Sequence, residues 1–239
     1  MYLFSPMKKY ILIAVYVFFT SAVFAQQQQE KLNSKLQPKQ QNLVTIEDFN
    51  KAIAANPKNT DLYIARARLK GMANDFKGAI KDFTKAIELY PNATAAYFDR
   101  AKCKIKIKDT EGAINDFSKA IEIDEKSYIA YYERANLFFD TKKYKEAIYD
   151  YTYVVNLFPE GTAAYFNRAL AKTELKDYQG AIKDYTTAIE KDPNPGMAYY
   201  NRGLLKNKLK DNAGACTDLI KAQELKYESA PAAVLQYCK

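Results

Sequence analysis

The sequence predicts an all-α fold of stacked antiparallel helix pairs, and two observations carry that prediction. The first is a spacing: residues 162–193, TAAYFNRALAKTELKDYQGAIKDYTTAIEKDP, return when the chain is shifted by 34 residues in either direction. The copies are 60–91, 94–125 and 128–159 upstream and 196–227 downstream, with Thr60, Thr94, Tyr128, Thr162 and Gly196 as repeat position 1. The second is periodicity. Apolar residues at positions 4, 8 and 11 or 12 follow the helical period. After a short break a second helix buries small residues at 20 and 27 around a large apolar residue at 24. A helical hairpin of this length cannot bury its apolar stripe alone, so it stacks on its neighbours into a solenoid.

In chain order, residues 1–25 read as a secretory signal peptide. Lys8-Lys9 precede the apolar run Tyr10 to Phe24, and small Ala25 stands before Gln26, where the mature chain would begin. The run is about 15 residues, short of the ~20 a spanning helix needs, so an uncleaved anchor is the alternative. Met7 competes with Met1 as the true start. Residues 26–43 are Gln-rich and read as a flexible tether. In 44–59 half a repeat returns: Phe49, Ala52 and Pro57 stand one period before Phe83, Ala86 and Pro91. Its missing first helix is either supplied by 29–41, or this helix caps the stack. Full repeats follow at 60–93, 94–127, 128–161, 162–195 and 196–227, and 228–239 reads as a C-terminal capping helix. First helices open after polar residues able to cap them, Asn59-Thr60 and Asn92 to Thr94. The hairpin breaks fall at Asn74-Asp75, Lys108-Asp109, Lys142-Lys143, Lys176-Asp177 and Lys210-Asp211.

These residues resemble the tetratricopeptide repeat (TPR) family. Position 4 is Tyr63, Tyr97, Tyr131, Tyr165 and Tyr199; position 8 is Ala67, Ala101, Ala135, Ala169 and Gly203. Position 20 is Ala79, Ala113, Ala147, Ala181 and Ala215, and position 24 is Phe83, Phe117, Tyr151, Tyr185 and Leu219. The closing Pro stands at Pro91, Pro159 and Pro193, with Glu125 and Tyr227 in the other two units. The resemblance covers about 46–227 and implies a right-handed superhelix of about five repeats, used to hold partners rather than to catalyse.

One departure recurs in every unit. Position 7, usually Leu in the family, is Arg66, Arg100, Arg134, Arg168 and Arg202, and position 23 is Asp82, Asp116, Asp150, Asp184 and Asp218. The match predicts a ladder of Arg–carboxylate pairs within a repeat or between adjacent ones, since a guanidinium fork suits a carboxylate where both are partly buried. Export would also place the three cysteines in an oxidising compartment. Cys103 reads as a small buried apolar residue. Cys216 and Cys238 read as a disulfide fastening the C-terminal cap, with two unpaired thiols as the alternative.

The chain holds no histidine, and it shows no phosphate-cradling Gly loop, Ser nucleophile elbow or zinc-spaced Cys cluster. Neither an enzyme nor a cofactor is expected. Net charge is +8 for the whole chain, which favours acidic partners without requiring nucleic acid, and the Lys102 to Lys108 tract reads as a solvated helix face. Asn92-Ala93-Thr94 matches a glycosylation sequon but falls at a repeat junction.

The resemblance implies a concave groove lined by first helices at positions 2, 5, 9 and 12. Position 5 gives Ile64, Phe98, Tyr132, Phe166 and Tyr200, and position 9 gives Arg68, Lys102, Asn136, Leu170 and Leu204. The groove would run from basic to apolar, its rings either exposed anchors or core. Asn136 and Asn167 match fragments of the clamp with which some TPR domains hold a carboxylate tail, but Tyr132, Met197 and Asn201 stand where that clamp needs charges. The expected function is thus an exported, periplasmic adaptor for a protein or peptide partner. The alternatives are a structural accessory subunit of an envelope assembly, docking by its convex face or cap, and capture of an anionic envelope polymer by the first repeats. The sequence leaves the oligomeric state open.

Overall fold

The computed structural model describes residues 45–238. The leader, its cleavage at Ala25-Gln26, the tether and the suggested helix at 29–41 lie outside the described residues. Contacts divide the chain into two compact units, one ending at Pro91 and one beginning at Asn92. The first holds α1 (Ile46–Ala55), α2 (Thr60–Met72) and α3 (Phe76–Leu89). The second holds four hairpins and a last helix: α4 (Thr94–Lys106) with α5 (Thr110–Ile123), α6 (Tyr128–Asp140) with α7 (Tyr144–Leu157), α8 (Thr162–Glu174) with α9 (Tyr178–Lys191), α10 (Gly196–Lys208) with α11 (Asn212–Glu224), and α12 (Ala230–Tyr237). Every described element is a helix, and no strand occurs among the described residues.

Small side chains set the spacing inside each hairpin. Ala67 and Ala79, Ala101 and Ala113, Ala135 and Ala147, and Ala169 and Ala181 are all fully buried, and the position-24 side chains Phe83, Phe117, Tyr151, Tyr185 and Leu219 are sunk in the core. In the last hairpin a Cβ on Gly203 would stand 3.1 Å from the Ala215 carbonyl oxygen and 3.0 Å from Leu219 Cγ, so the two backbones there approach to the limit. In the second unit α5 also packs on α6, α7 on α8 and α9 on α10, which joins the hairpins into a stack.

The turns inside the hairpins share one conformation. Asn74, Lys108, Lys142, Lys176 and Lys210 all have φ between 60° and 65°, the left-handed region. The following amide reaches back to close the helix, as in Asp75 N to Lys70 O at 2.8 Å and Asp177 N to Lys172 O at 2.9 Å. That next residue also starts the second helix: Asp75, Asp109, Asp177 and Asp211 accept from the amides of Gly78, Gly112, Gly180 and Gly214. A Cβ on any of these glycines would overlap the capping carboxylate. The third repeat has Lys143 for the Asp and Glu146 for the Gly, and its helix has no side-chain cap. Cap and glycine are therefore one device. Gly180→Ala should destabilise by about 1 kcal/mol through loss of the cap. In an Asp177→Lys background the same change should stabilise by about 1 kcal/mol, the ordinary helical preference for Ala. Urea melts of the four proteins check it, and equal signs in both backgrounds would refute the coupling. The cap at the start of α4 differs from the sequence expectation: Ala93, not Asn92 or Thr94, holds the N-cap position and makes no side-chain bond, whereas Asn59 does cap α2.

Each position-7 Arg lies against the Asp sixteen residues on, in the same repeat. Nε meets one carboxylate oxygen and a terminal nitrogen the other, at 2.7–2.8 Å in all five pairs: Arg66–Asp82, Arg100–Asp116, Arg134–Asp150, Arg168–Asp184 and Arg202–Asp218. Two further sets of partners join the ladder. Lys70, Lys104, Lys172 and Lys206, at position 11, reach the same carboxylates at 2.8–2.9 Å. The other Arg nitrogen donates to position 25 of the preceding unit: Asn50 for Arg66, Ser118 for Arg134, Thr152 for Arg168 and Thr186 for Arg202. A guanidinium thus ties a hairpin both to itself and to its predecessor, and each also lies over its own repeat's position-4 Tyr ring.

Candidate partner-binding groove

In the second unit the first helices α4, α6, α8 and α10 repeat at the same register, and the neighbours α6 and α8 touch. Their position-5 rings are half-buried rather than free-standing. Phe98 packs edge-on against Phe117 at 5.3 Å, Tyr132 against Tyr151 at 5.9 Å and Phe166 against Tyr185 at 5.3 Å. Tyr200 lies 4.9 Å from Tyr227. Each groove ring is therefore braced from below by a ring at position 24, or in the last repeat by Tyr227. Leu170 and Leu204 are half-buried beside them, and Lys102 lies over the Phe98 ring at 5.8 Å. Ile64 and Arg68 are half-buried on α2 of the first unit.

Between α6 and α8 lies a recess of 370 Å³ lined by Asn136, Phe139, Asp140, Tyr151, Asn167 and Leu170. A polar network forms its wall. The Tyr151 hydroxyl donates to Asn136 Oδ1 at 2.6 Å, and Asn167 Nδ2 donates to the Tyr132 hydroxyl at 3.0 Å and to Asn136 Oδ1 at 3.3 Å. Burial pushes the Tyr132 and Tyr151 hydroxyls above the usual phenol range, which keeps Tyr151 protonated as the donor to Asn136. Glu133 on α6 is also held above the usual carboxylate range, by burial first and against the opposing field of Lys102 on α4. Sequence reasoning had placed Tyr151 in the core and Asn167 among the fragments of a clamp. Their meeting at one recess depends on how α7 sits beneath α6 and α8.

Cys216 and Cys238 are joined by a disulfide, Cα to Cα 5.3 Å, which fastens α12 to α11. Cys103 is a free, buried thiol, and burial lifts it to about 11. Among the described residues no group of His, Cys, Asp and Glu side chains is arranged to hold a metal ion, and no helix is long and apolar enough to cross a membrane.

Helical hairpins at a 34-residue spacing, with small residues at the crossing and a lined first-helix face, define a helix-pair repeat protein of the kind that binds other chains. Two family models described as tetratricopeptide repeat match the chain, one over residues 64–128 and one over 162–195. The chain is a tetratricopeptide-repeat protein. No curated protein sequence matches it. Among solved structures it is similar to YrrB, described as a TPR protein with an unusual peptide-binding site, at 24% identity and a TM-score of 0.71 over 79% of this chain and 98% of that one. It is also similar to MamA from Desulfovibrio magneticus RS-1, at 18% identity and a TM-score of 0.64 over 70% and 94% of the two chains. The C-terminal part of a TPR repeat-containing protein from Cytophaga hutchinsonii matches at 20% identity and a TM-score of 0.67, over 78% and 74%.

Proposed function

We propose that this chain is an exported, non-enzymatic adaptor that holds an extended stretch of a partner protein along the first helices of its second unit. The observation that carries the reading is the Asn136–Asn167 network. It occupies Asn136 Oδ1 twice and Asn167 Nδ2 twice. What remains is a donor on Asn136 and an acceptor on Asn167, the complement of the carbonyl and N–H of one peptide unit. Phe139 and Leu170 beside them offer apolar surface to a side chain. The ring ladder Phe98, Tyr132, Phe166 and Tyr200, with Lys102 and Leu204, extends that contact along the helices. YrrB, a TPR protein with a peptide-binding site, gives the reading a precedent in fold alone. The signal-peptide reading of residues 1–25 and the Cys216–Cys238 bridge support an oxidising compartment, taken here as the periplasm.

The second reading, an accessory subunit docking through its cap, is favoured by Leu235, 78% exposed on α12. Site-specific photo-crosslinking in intact cells separates the two. A photoreactive residue in place of Leu170 should give a partner adduct, and Asn167→Ala should weaken it about tenfold with little change in melting. Adducts from position 235 with none from 170 would transfer the function to the cap.

A further inference from the structure

The third repeat breaks the internal pattern of the other four, and three of its departures converge on one place. Position 11 is Phe138 where the others have Lys, position 19 is Glu146 where they have Gly, and position 22 is Tyr149 where they have Lys81, Asn115, Lys183 and Thr217. All three line a recess of 390 Å³ on the second-helix side of the repeat, with Arg134, Lys145 and Asp150 completing it. The four intact repeats show what this place is built for. There the position-11 ammonium rests 2.8–2.9 Å from the second carboxylate oxygen of the Asp, beside the Arg. In the third repeat Asp150 has Arg134 as its cation. Its side chain is 1% exposed against 3–7% for the other four, and burial holds it above the usual carboxylate range.

We propose that this recess is a binding site for a primary ammonium, supplied by a lysine side chain of a partner protein that enters between Phe138 and Tyr149. The four internal copies fix the chemistry, because each contains the same carboxylate and guanidinium already completed by a lysine. The walls suit that ligand. Tyr149 is 66% exposed and Phe138 half-buried, so two ring faces are offered to a cation. Phe138 now lies 5.7 Å from the Arg134 guanidinium, which is itself 5.5 Å from Tyr131 on the other side. A turn of the Phe138 ring out of the recess would open the path to Asp150 and leave Arg134 over Tyr131. Glu146 stands at the mouth as a second carboxylate, and the lysine stem would lie along the exposed face of Tyr149. The site is on a different side of the repeat from the Asn136–Asn167 recess and does not depend on it.

The test is an NMR titration of the full mature protein with Nα-acetyl-lysine N-methylamide, with its Nε-acetylated form and with propylammonium. Saturable shifts confined to Phe138, Tyr149 and neighbouring amides are expected with the lysine derivative and not with its neutral acetylated form. Phe138→Lys restores the residue the other repeats carry, so it should fold, fill the place from within and weaken binding by more than about tenfold. Tyr149→Lys should weaken binding as well. Absence of saturable shifts, equal shifts with the acetylated form, or unchanged binding in Phe138→Lys would each overturn the site. Propylammonium binding as tightly as the lysine derivative would overturn the partner-protein assignment in favour of a small free amine.

Discussion

Asp150→Arg should cost the protein about 4 kcal/mol or more, the largest single-residue effect expected in this fold. The change removes the bidentate partner of Arg134 and inserts a second guanidinium where the carboxylate side chain is 1% exposed. The two like charges then face each other between α6 and α7, with no carboxylate between them. The hydroxyl of Ser118 remains as an acceptor for Arg134, and it carries no charge. Neutralisation alone should behave differently. Burial raises the Asp150 pKa, so the folded state holds its proton more tightly than the unfolded chain. The stability from this group is fully present below the unfolded value and is lost as pH rises through the folded one. At pH 7 Asp150→Asn should accordingly cost less than Asp218→Asn, which strands both Arg202 and Lys206. Urea denaturation at fixed pH decides both comparisons. An unchanged midpoint in Asp150→Arg would mean that the ladder adds nothing to stability.

That ladder shows what a sequence can and cannot carry. Arg at position 7 and Asp at 23 recur in every unit, so the pairing is legible from co-occurrence; the choice of the same repeat over the next is a matter of helix geometry. The lysine at position 11 was equally visible, in four units of five, but a lysine on a helix has many places to go, and only the crossing angle brings its ammonium to the Asp. The Asp–Gly device in the turns could have been found: Asp at position 16 and Gly at 19 are present together in four repeats and absent together in the third. The left-handed turn residue is harder to see, because it is Lys in four hairpins and Asn in one, where glycine would be the usual sign. In the groove, the register sets each position-5 side chain next to the Tyr of position 4, and it does not show how deeply position 24 draws the rings in. Asn136 and Asn167 are 31 residues apart, and their bond depends on the packing of α6 on α8.

Removing the disulfide, by Cys216→Ser with Cys238→Ser, should release the end of the chain rather than unfold the whole. The bridge closes a loop of 22 residues, worth about 3 kcal/mol if its effect is to restrict the unfolded chain. Little else holds α12 in place. Its fully buried residues are Ala230 and Ala233, two methyl groups, with Val234 and Tyr237 half-buried, while Leu235 faces solvent. Each buried methyl(ene) contributes under about 1 kcal/mol, too little to offset the entropy of ordering eight residues. Stability in a repeat array is a sum of local terms, so the loss should stay near the cut. Amide exchange in α12 should quicken by about a hundredfold, with a smaller gain in α11, on which α12 packs, and none in α6 or α7. Equal protection of α12 with and without the bridge would show that packing alone seats the cap. Uniform acceleration through α6 and α7 would show that the stack opens as one body, against the local summation that the repeat architecture implies.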